Sequence, residues 1–157
     1  MELFADELFS VPNARVVAIV VVRLVTAALL GGLLGAEREA LGKAAGLRTH
    51  MLVALGAALF VIAPDQAGLA AGDLGRIIQG VAAGIGFIGA GTILKLTDRE
   101  EIKGLTTAAS IWLTAAIGIA AAVSPLWVPV VGAACAWVVL SVFLNLEARI
   151  NRRRREP

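Results

Sequence analysis

The chain has 157 residues, 59% of them hydrophobic, with seventeen glycines besides. Roughly 70% is therefore apolar or glycine, against about 45–50% in an ordinary soluble domain, and the charges form short blocks between long uncharged runs. That pattern excludes a soluble globular protein, and a single cysteine and a single histidine exclude an intrachain disulfide framework, a structural zinc cluster and an iron–sulfur site.

Five apolar runs follow in chain order: 16–36, 47–63, 77–96, 105–123 and 126–146. Each approaches the length a helix needs to cross roughly 30 Å of hydrocarbon. The expectation is an all-α membrane protein of five transmembrane helices, with a Gly-rich third helix at its centre. The first run is expected to stay as a membrane helix, because acidic residues (Glu2, Asp6, Glu7) precede it and the dense charge Glu37-Arg38-Glu39 follows it.

The basic residues set an orientation. Three lie between runs one and two (Arg38, Lys43, Arg48), three between runs three and four (Lys95, Arg99, Lys103) and five near the C-terminus (Arg149, Arg152, Arg153, Arg154, Arg155). Eleven of fourteen thus share one side, and the positive-inside rule puts the N-terminus out and the C-terminus in. The organisation expected is an extracytoplasmic segment 1–15, a membrane domain 16–146 and a basic cytoplasmic tail 147–157 that meets anionic lipid rather than nucleic acid.

Gly84-Ile85-Gly86-Phe87-Ile88-Gly89 spells a dinucleotide-binding pattern, but no strand precedes it and it lies inside an apolar run. Helix–helix packing is the usual purpose of such glycines. At 100° per residue Gly80, Gly84 and Gly91 fall within roughly 40° of one another, with Ala82, Gly86 and Gly89 nearly opposite. Two small faces place this helix at the centre of the bundle or of an oligomer interface. Gly31, Gly32 and Gly35 give the first run a smaller version of the same face.

Arg23 lies seven residues into the first run, about 10 Å below its outer end, where a lone charge is costly. Its candidate partners are Asp65, Asp73 and Gln79, the last two on one side of a helix start with Arg76; outward snorkelling is the alternative. Thr106, Ser110 and Thr114 recur every four residues with Thr107 beside them, facing a polar interior or bonding back to their own helix. His50 reads as an interfacial residue and Cys135 as a packing residue. No nucleophile–base pair, P-loop or H-E-x-x-H is present, so no enzyme is expected.

Four segments carry a resemblance: 23–39 (RLVTAALLGGLLGAERE), 45–60 (AGLRTHMLVALGAALF), 84–94 (GIGFIGAGTIL) and 103–118 (KGLTTAASIWLTAAIG). Over about residues 20–122 the chain resembles the MgtC/SapB family. The resemblance implies a multi-pass bacterial inner-membrane protein of magnesium homeostasis, in a family whose best-known members support growth in low magnesium and survival inside macrophages. Some members are named magnesium transporters, and the virulence member is linked to inhibition of the proton-translocating ATP synthase. Virulence-type members carry a soluble C-terminal domain, and they show Asn and Cys where this chain has Thr106 and Leu113, so the resemblance is to the shorter SapB-like form. The polar positions it carries over are Arg23, Glu37, Arg38, Arg48, Thr49, Asp73, Arg76, Gln79, Thr106 and Thr107.

Two functions stand open at this stage. One is a small homo-oligomeric transporter or channel for Mg²⁺ or another inorganic cation, passing hydrated between acidic mouths at Asp65 and Asp73 outside and Glu37 and Glu39 inside. The other is a regulatory module that binds another membrane protein, such as the ATP synthase, through small-residue faces. Neither needs a cofactor, and no metal ligands are assigned.

Overall fold

A computed structural model of the chain describes residues 13–68, 71–96 and 101–153. Residues 1–12 and 154–157 of the expected terminal segments, and Arg99 between the third and fourth runs, lie outside them.

Helix α1 (Ala14–Ala40) opens at Asn13, whose side chain accepts the Arg15 N–H at 3.1 Å and so satisfies one otherwise unpaired donor of the first turn. Helix α2 (Leu47–Gln66) returns antiparallel, and a short 3₁₀ turn (Ala71–Asp73) leads into α3 (Leu74–Ala90). A two-stranded antiparallel hairpin, β1 (Leu94–Leu96) and β2 (Glu101–Lys103), pairs Leu94 with Lys103 and Leu96 with Glu101. Helices α4 (Leu105–Val123) and α5 (Trp127–Arg153) complete the bundle. Five helices therefore stand where five apolar runs were expected. By length and composition α1, α2 and α4 can each cross a membrane, while α3 and the apolar part of α5 (Trp127–Ser141) are shorter.

The third run ends earlier than its apolar character suggests, and the hairpin is an addition to the all-α expectation. Thr92 leaves the helix, its hydroxyl donating to the Gly89 carbonyl at 2.7 Å. Gly104, at φ +94°, carries the chain into α4 where a Cβ would overlap the Thr92 carbonyl. Only glycine suits that left-handed, crowded position, so the hairpin is pinned to the junction of α3 and α4.

The centre of the bundle is α2 with α4. One buried cluster joins Ala27 of α1 with Ala54, Ala58, Val61 and Ile62 of α2 and Ala121 and Ala122 of α4. A second joins Leu34, Ile117, Ala133 and Ala136. A third joins Ala57, Val81 and Ala115. Helix α4 takes part in all three. Among the described residues ten of the sixteen buried apolar side chains are alanine, while Leu29, Leu52, Phe60 and Phe87 face outward. Small residues inside and large apolar ones outside suit a bundle surrounded by lipid, because lipid solvates Leu and Phe well and close backbone approach supplies the attraction.

Glycine marks the closest approaches, on α1 as the smaller glycine face there suggests and on α4, but not on α3. A Cβ at Gly31 would lie 2.6 Å from the His50 carbonyl oxygen, and one at Gly35 would lie 2.7 Å from the Leu47 Cα. At Gly118 of α4 it would overlap the Ala54 backbone from the other side of α2. Gly80, Gly84 and Gly86 of α3 have open space at that position, and Gly89 meets only Ala108, at 3.4 Å. The central third helix is thus corrected: α3 sits at the periphery of the single chain, burying Val81 and Gly89. A two-sided small face says that close approach is allowed and does not say which neighbour makes it.

Candidate functional site

Because α1 and α2 touch backbone to backbone near Gly31 and Gly35, the residues just beyond them are shut away from the surroundings. Three helix ends meet there: the last turn of α1, the first of α2 and the first of α4. Arg38 is the largest fully buried side chain at 2% exposure, and His50, Thr107, Ser110 and Thr114 are buried with it.

Hydrogen bonds join these groups into one seam. Nη2 of Arg38 donates to Thr107 Oγ1 at 3.3 Å. The Thr107 carbonyl accepts from Ser110 Oγ at 2.8 Å, and the Ser110 carbonyl accepts from Thr114 Oγ1 at 2.8 Å. His50 lies between α2 and α4, with Nδ1 3.0 Å from the Gly46 carbonyl and Nε2 3.2 Å from Ser110 Oγ. A carbonyl can only accept, so Nδ1 carries a proton and a neutral His50 accepts at Nε2. Ser110 then faces two acceptors, the imidazole and the Thr107 carbonyl, with one hydroxyl proton. Two atoms in the seam have no hydrogen-bond partner: Arg38 Nε and Glu37 Oε2, both shielded from solvent.

The loop beside the seam is held by Glu39, whose Oε2 accepts the Leu47 N–H at 2.8 Å and caps the start of α2 across the turn. Gly46 permits this, since a Cβ there would lie 2.5 Å from that same carboxylate oxygen.

Of the sequence candidates, Glu37, Arg38, Thr107 and Ser110 come together here. Thr106 and Arg48 face outward and Thr49 is half-buried. The hydroxyl stripe does both things considered for it, because Ser110 bonds back to α4 and also meets His50. His50 itself had been read as interfacial, yet it is fully buried. The signal was its spacing: His50, Ala54, Ala57, Ala58 and Val61 form one helical face of otherwise small or apolar residues.

The remaining candidates lie at the opposite end. Asp73 pairs with Arg76, three residues on, where Arg76 is 81% exposed. Gln79 is exposed. Arg23 hydrogen-bonds to neither Asp73 nor Gln79, and instead lines a cleft with Asp65 and Gln66. The pairing of Arg23 with Asp73 is therefore corrected: a neighbour one helical turn away satisfies the carboxylate first. Among the described residues no three His, Cys, Asp or Glu side chains are grouped so as to hold a metal ion.

A family model for the MgtC family matches residues 24–149, which include both arginine-bearing ends of the membrane region except Arg23 itself. Protein SrpB of Synechococcus elongatus is 50% identical over 107 residues, covering 61% of this chain and 59% of that protein. The Escherichia coli K12 protein named "Putative magnesium transporter YhiD" is 41% identical over 143 residues, 85% of this chain and 64% of its own length. Protein MgtC of Salmonella typhimurium is 42% identical over 104 residues, 63% of this chain and 41% of its own length. The chain thus spans about two-fifths to two-thirds of the length of these relatives. No solved structure matches. With a family match across most of its length and apolar helices able to cross a bilayer, the chain belongs to the MgtC family of membrane proteins.

Proposed function

We propose that the chain serves magnesium homeostasis as a non-enzymatic regulatory module of the bacterial inner membrane, docking on another membrane protein rather than passing Mg²⁺ through its own bundle. The magnesium connection rests on the family and on the name of the Escherichia coli relative. The observation that carries the regulatory reading is Arg38. Its guanidinium lies inside the buried polar seam, where it would repel a cation travelling between α1, α2 and α4. Mg²⁺ also gives up its waters reluctantly and is usually held by several carboxylates, whereas the seam offers one, Glu37 next to Arg38, and otherwise hydroxyls and an imidazole. Beside the seam the glycine contacts bring the helix backbones together. Helix α3 supplies a docking face, because Gly80 and Gly84, on one side of it, lie open to a helix from elsewhere. The positive-inside count puts the Arg38 end in the cytoplasm, within reach of a partner's cytoplasmic side.

The test combines two measurements on the same full chain. Expressed in a bacterium lacking its own family member, it should restore growth in low magnesium. Reconstituted into liposomes that enclose a Mg²⁺-sensitive dye, it should admit no more Mg²⁺ than empty liposomes. Mg²⁺ entry above that background overturns the regulatory reading.

The transport reading draws on the Escherichia coli relative's name and on the same α3 face. In that version copies of the chain assemble through α3 and a hydrated ion moves between them. Gly84→Leu would then abolish Mg²⁺ entry while leaving each chain folded.

A further inference from the structure

At the end of the bundle away from Arg38, α1 and α2 separate. No glycine sits on α1 between Ala14 and Leu30, and α2 carries Pro64 in its last turn. The separation leaves a cleft of about 330 Å³, within the size range of small-ligand sites. Its walls include Ile19, Ile62 and Ile77, and its polar groups are Arg23, Asp65 and Gln66.

Charge and spacing in this cleft are informative together. Arg23 is half-buried on a membrane helix and no described residue hydrogen-bonds to it or pairs with it. Asp65 lines the same cleft but forms no ion pair with Arg23, and its carboxylate accepts only the Gln66 amide, at 3.2 Å on Oδ2. Val20 and Leu24 of α1 pack on the cluster containing Val61 and Ile62, and Arg23 and Ile62 line the same cleft. Asp65 is three residues further along α2, about 4.5 Å nearer the helix end at 1.5 Å per residue. A cation and an anion therefore share one cleft with apolar walls without pairing with each other.

We propose that this cleft binds the headgroup of a zwitterionic phospholipid bearing a primary ammonium, phosphatidylethanolamine in chemical class. The Arg23 guanidinium takes the phosphate with its planar fork of donors. The ammonium lies beyond the phosphate, toward the helix end, and donates to Asp65. The isoleucine walls meet the glycerol and the first methylenes of the acyl chains. A half-buried arginine in hydrocarbon needs an anion or water, and a lipid phosphate is the anion a bilayer always supplies. A purely anionic headgroup would satisfy Arg23 and be repelled by Asp65, so the two charges together select the zwitterion.

The test is lipid retention by the full-length protein in detergent, measured by native mass spectrometry after equal addition of phosphatidylethanolamine, phosphatidylglycerol and diacylglycerol. Wild type should retain one phosphatidylethanolamine at least tenfold more than diacylglycerol and several-fold more than phosphatidylglycerol. Asp65→Asn changes an exposed residue and should keep the fold; it should remove the preference for phosphatidylethanolamine over phosphatidylglycerol. Arg23→Gln should reduce retention of both phospholipids about tenfold, and Arg23→Lys should recover part of it. Three results overturn the proposal: equal retention of diacylglycerol by wild type, an unchanged preference in Asp65→Asn, or displacement of the lipid by millimolar inorganic phosphate, which would assign the cleft to a free anion.

Discussion

Two of the three arginines of helix α1, Arg23 and Arg38, are fifteen positions apart, about 22 Å along the helix, and their surroundings are opposite. Arg38 is buried and bonded to Thr107. Arg23 is half-buried, has no bonded neighbour and opens into a cleft. The arginines are alike and so is the helix that bears them; the difference lies in the residues between the helices. Near Arg38, Gly31 and Gly35 let α2 press its backbone onto α1, and the polar side chains beyond that contact have to satisfy one another. Near Arg23 the residues packed against the α2 cluster are Val20 and Leu24, bulkier than glycine, and a cleft lies between the helices. Glycine placement therefore decides which arginine becomes part of the core and which keeps a site open to the surroundings.

The largest expected effect comes from breaking the close contact itself. Gly118→Leu and Gly31→Leu each drive a side chain into the backbone of α2, an overlap that no rotamer change relieves. Both should fail to give folded protein in detergent, read as loss of a monodisperse peak and of cooperative melting. Gly84→Leu is the contrast. Its added atoms enter open space, so folding of the single chain should be unchanged, and any defect should appear only in assembly or growth.

A smaller effect should follow from unpairing the buried arginine. Thr107→Val keeps the shape of the threonine but removes the acceptor for Nη2, leaving a guanidinium whose Nε already lacks a partner. An unsatisfied buried donor on a charged group costs about 1–3 kcal/mol, or several degrees of melting temperature in a chain this size. Arg38→Met combined with Thr107→Val should recover most of that loss, because apolar groups replace both members of the pair. A double variant as unstable as Thr107→Val alone would show that Arg38 acts through shape and not charge. Ser110→Ala should cost about 1–2 kcal/mol by removing the Nε2 partner of His50, and Thr106→Ala, on the outward face, should cost less than 0.5 kcal/mol by thermal melting.

The apolar runs foretold all five helices, because long stretches of apolar side chains free of turn signals are written directly in the residues. The ends were less legible: Thr92–Leu96 belongs to an apolar run, but Thr92 bonds back to Gly89 and the strand pairs with Glu101–Lys103. Of the polar seam, Arg38, Thr107 and Ser110 were visible as polar groups in apolar surroundings, and their meeting was not. That meeting depends on Gly31, Gly35 and Gly118 facing α2, while Gly80, Gly84 and Gly86 of α3 meet no neighbour within the chain. Glycine periodicity reveals which faces are thin, and only the tertiary arrangement reveals which thin face has a neighbour. Arg23 was legible as costly; of the three partners that the sequence offered, Asp73 is occupied by Arg76 and Gln79 is exposed, while Asp65 shares the cleft of Arg23 without pairing with it.

The smallest effect, and the one that separates the two arginines most cleanly, is expected at Arg23 in detergent free of phospholipid. Arg23 makes no hydrogen bond to lose, so Arg23→Gln should shift stability by no more than about 0.5 kcal/mol, well below the cost of Thr107→Val. Adding phosphatidylethanolamine should then divide the variants. A ligand at one hundred times its dissociation constant stabilises the folded state by about 2.7 kcal/mol, so wild type and Thr107→Val should both melt several degrees higher with lipid than without. Arg23→Gln should gain much less, having lost the group that takes the phosphate. If Arg23→Gln is instead as damaging as Thr107→Val before any lipid is added, Arg23 is a structural charge like Arg38 and the contrast between the two ends of α1 fails. If lipid raises the melting temperature of Arg23→Gln as much as that of wild type, the stabilisation comes from the bilayer-facing surface and not from the cleft.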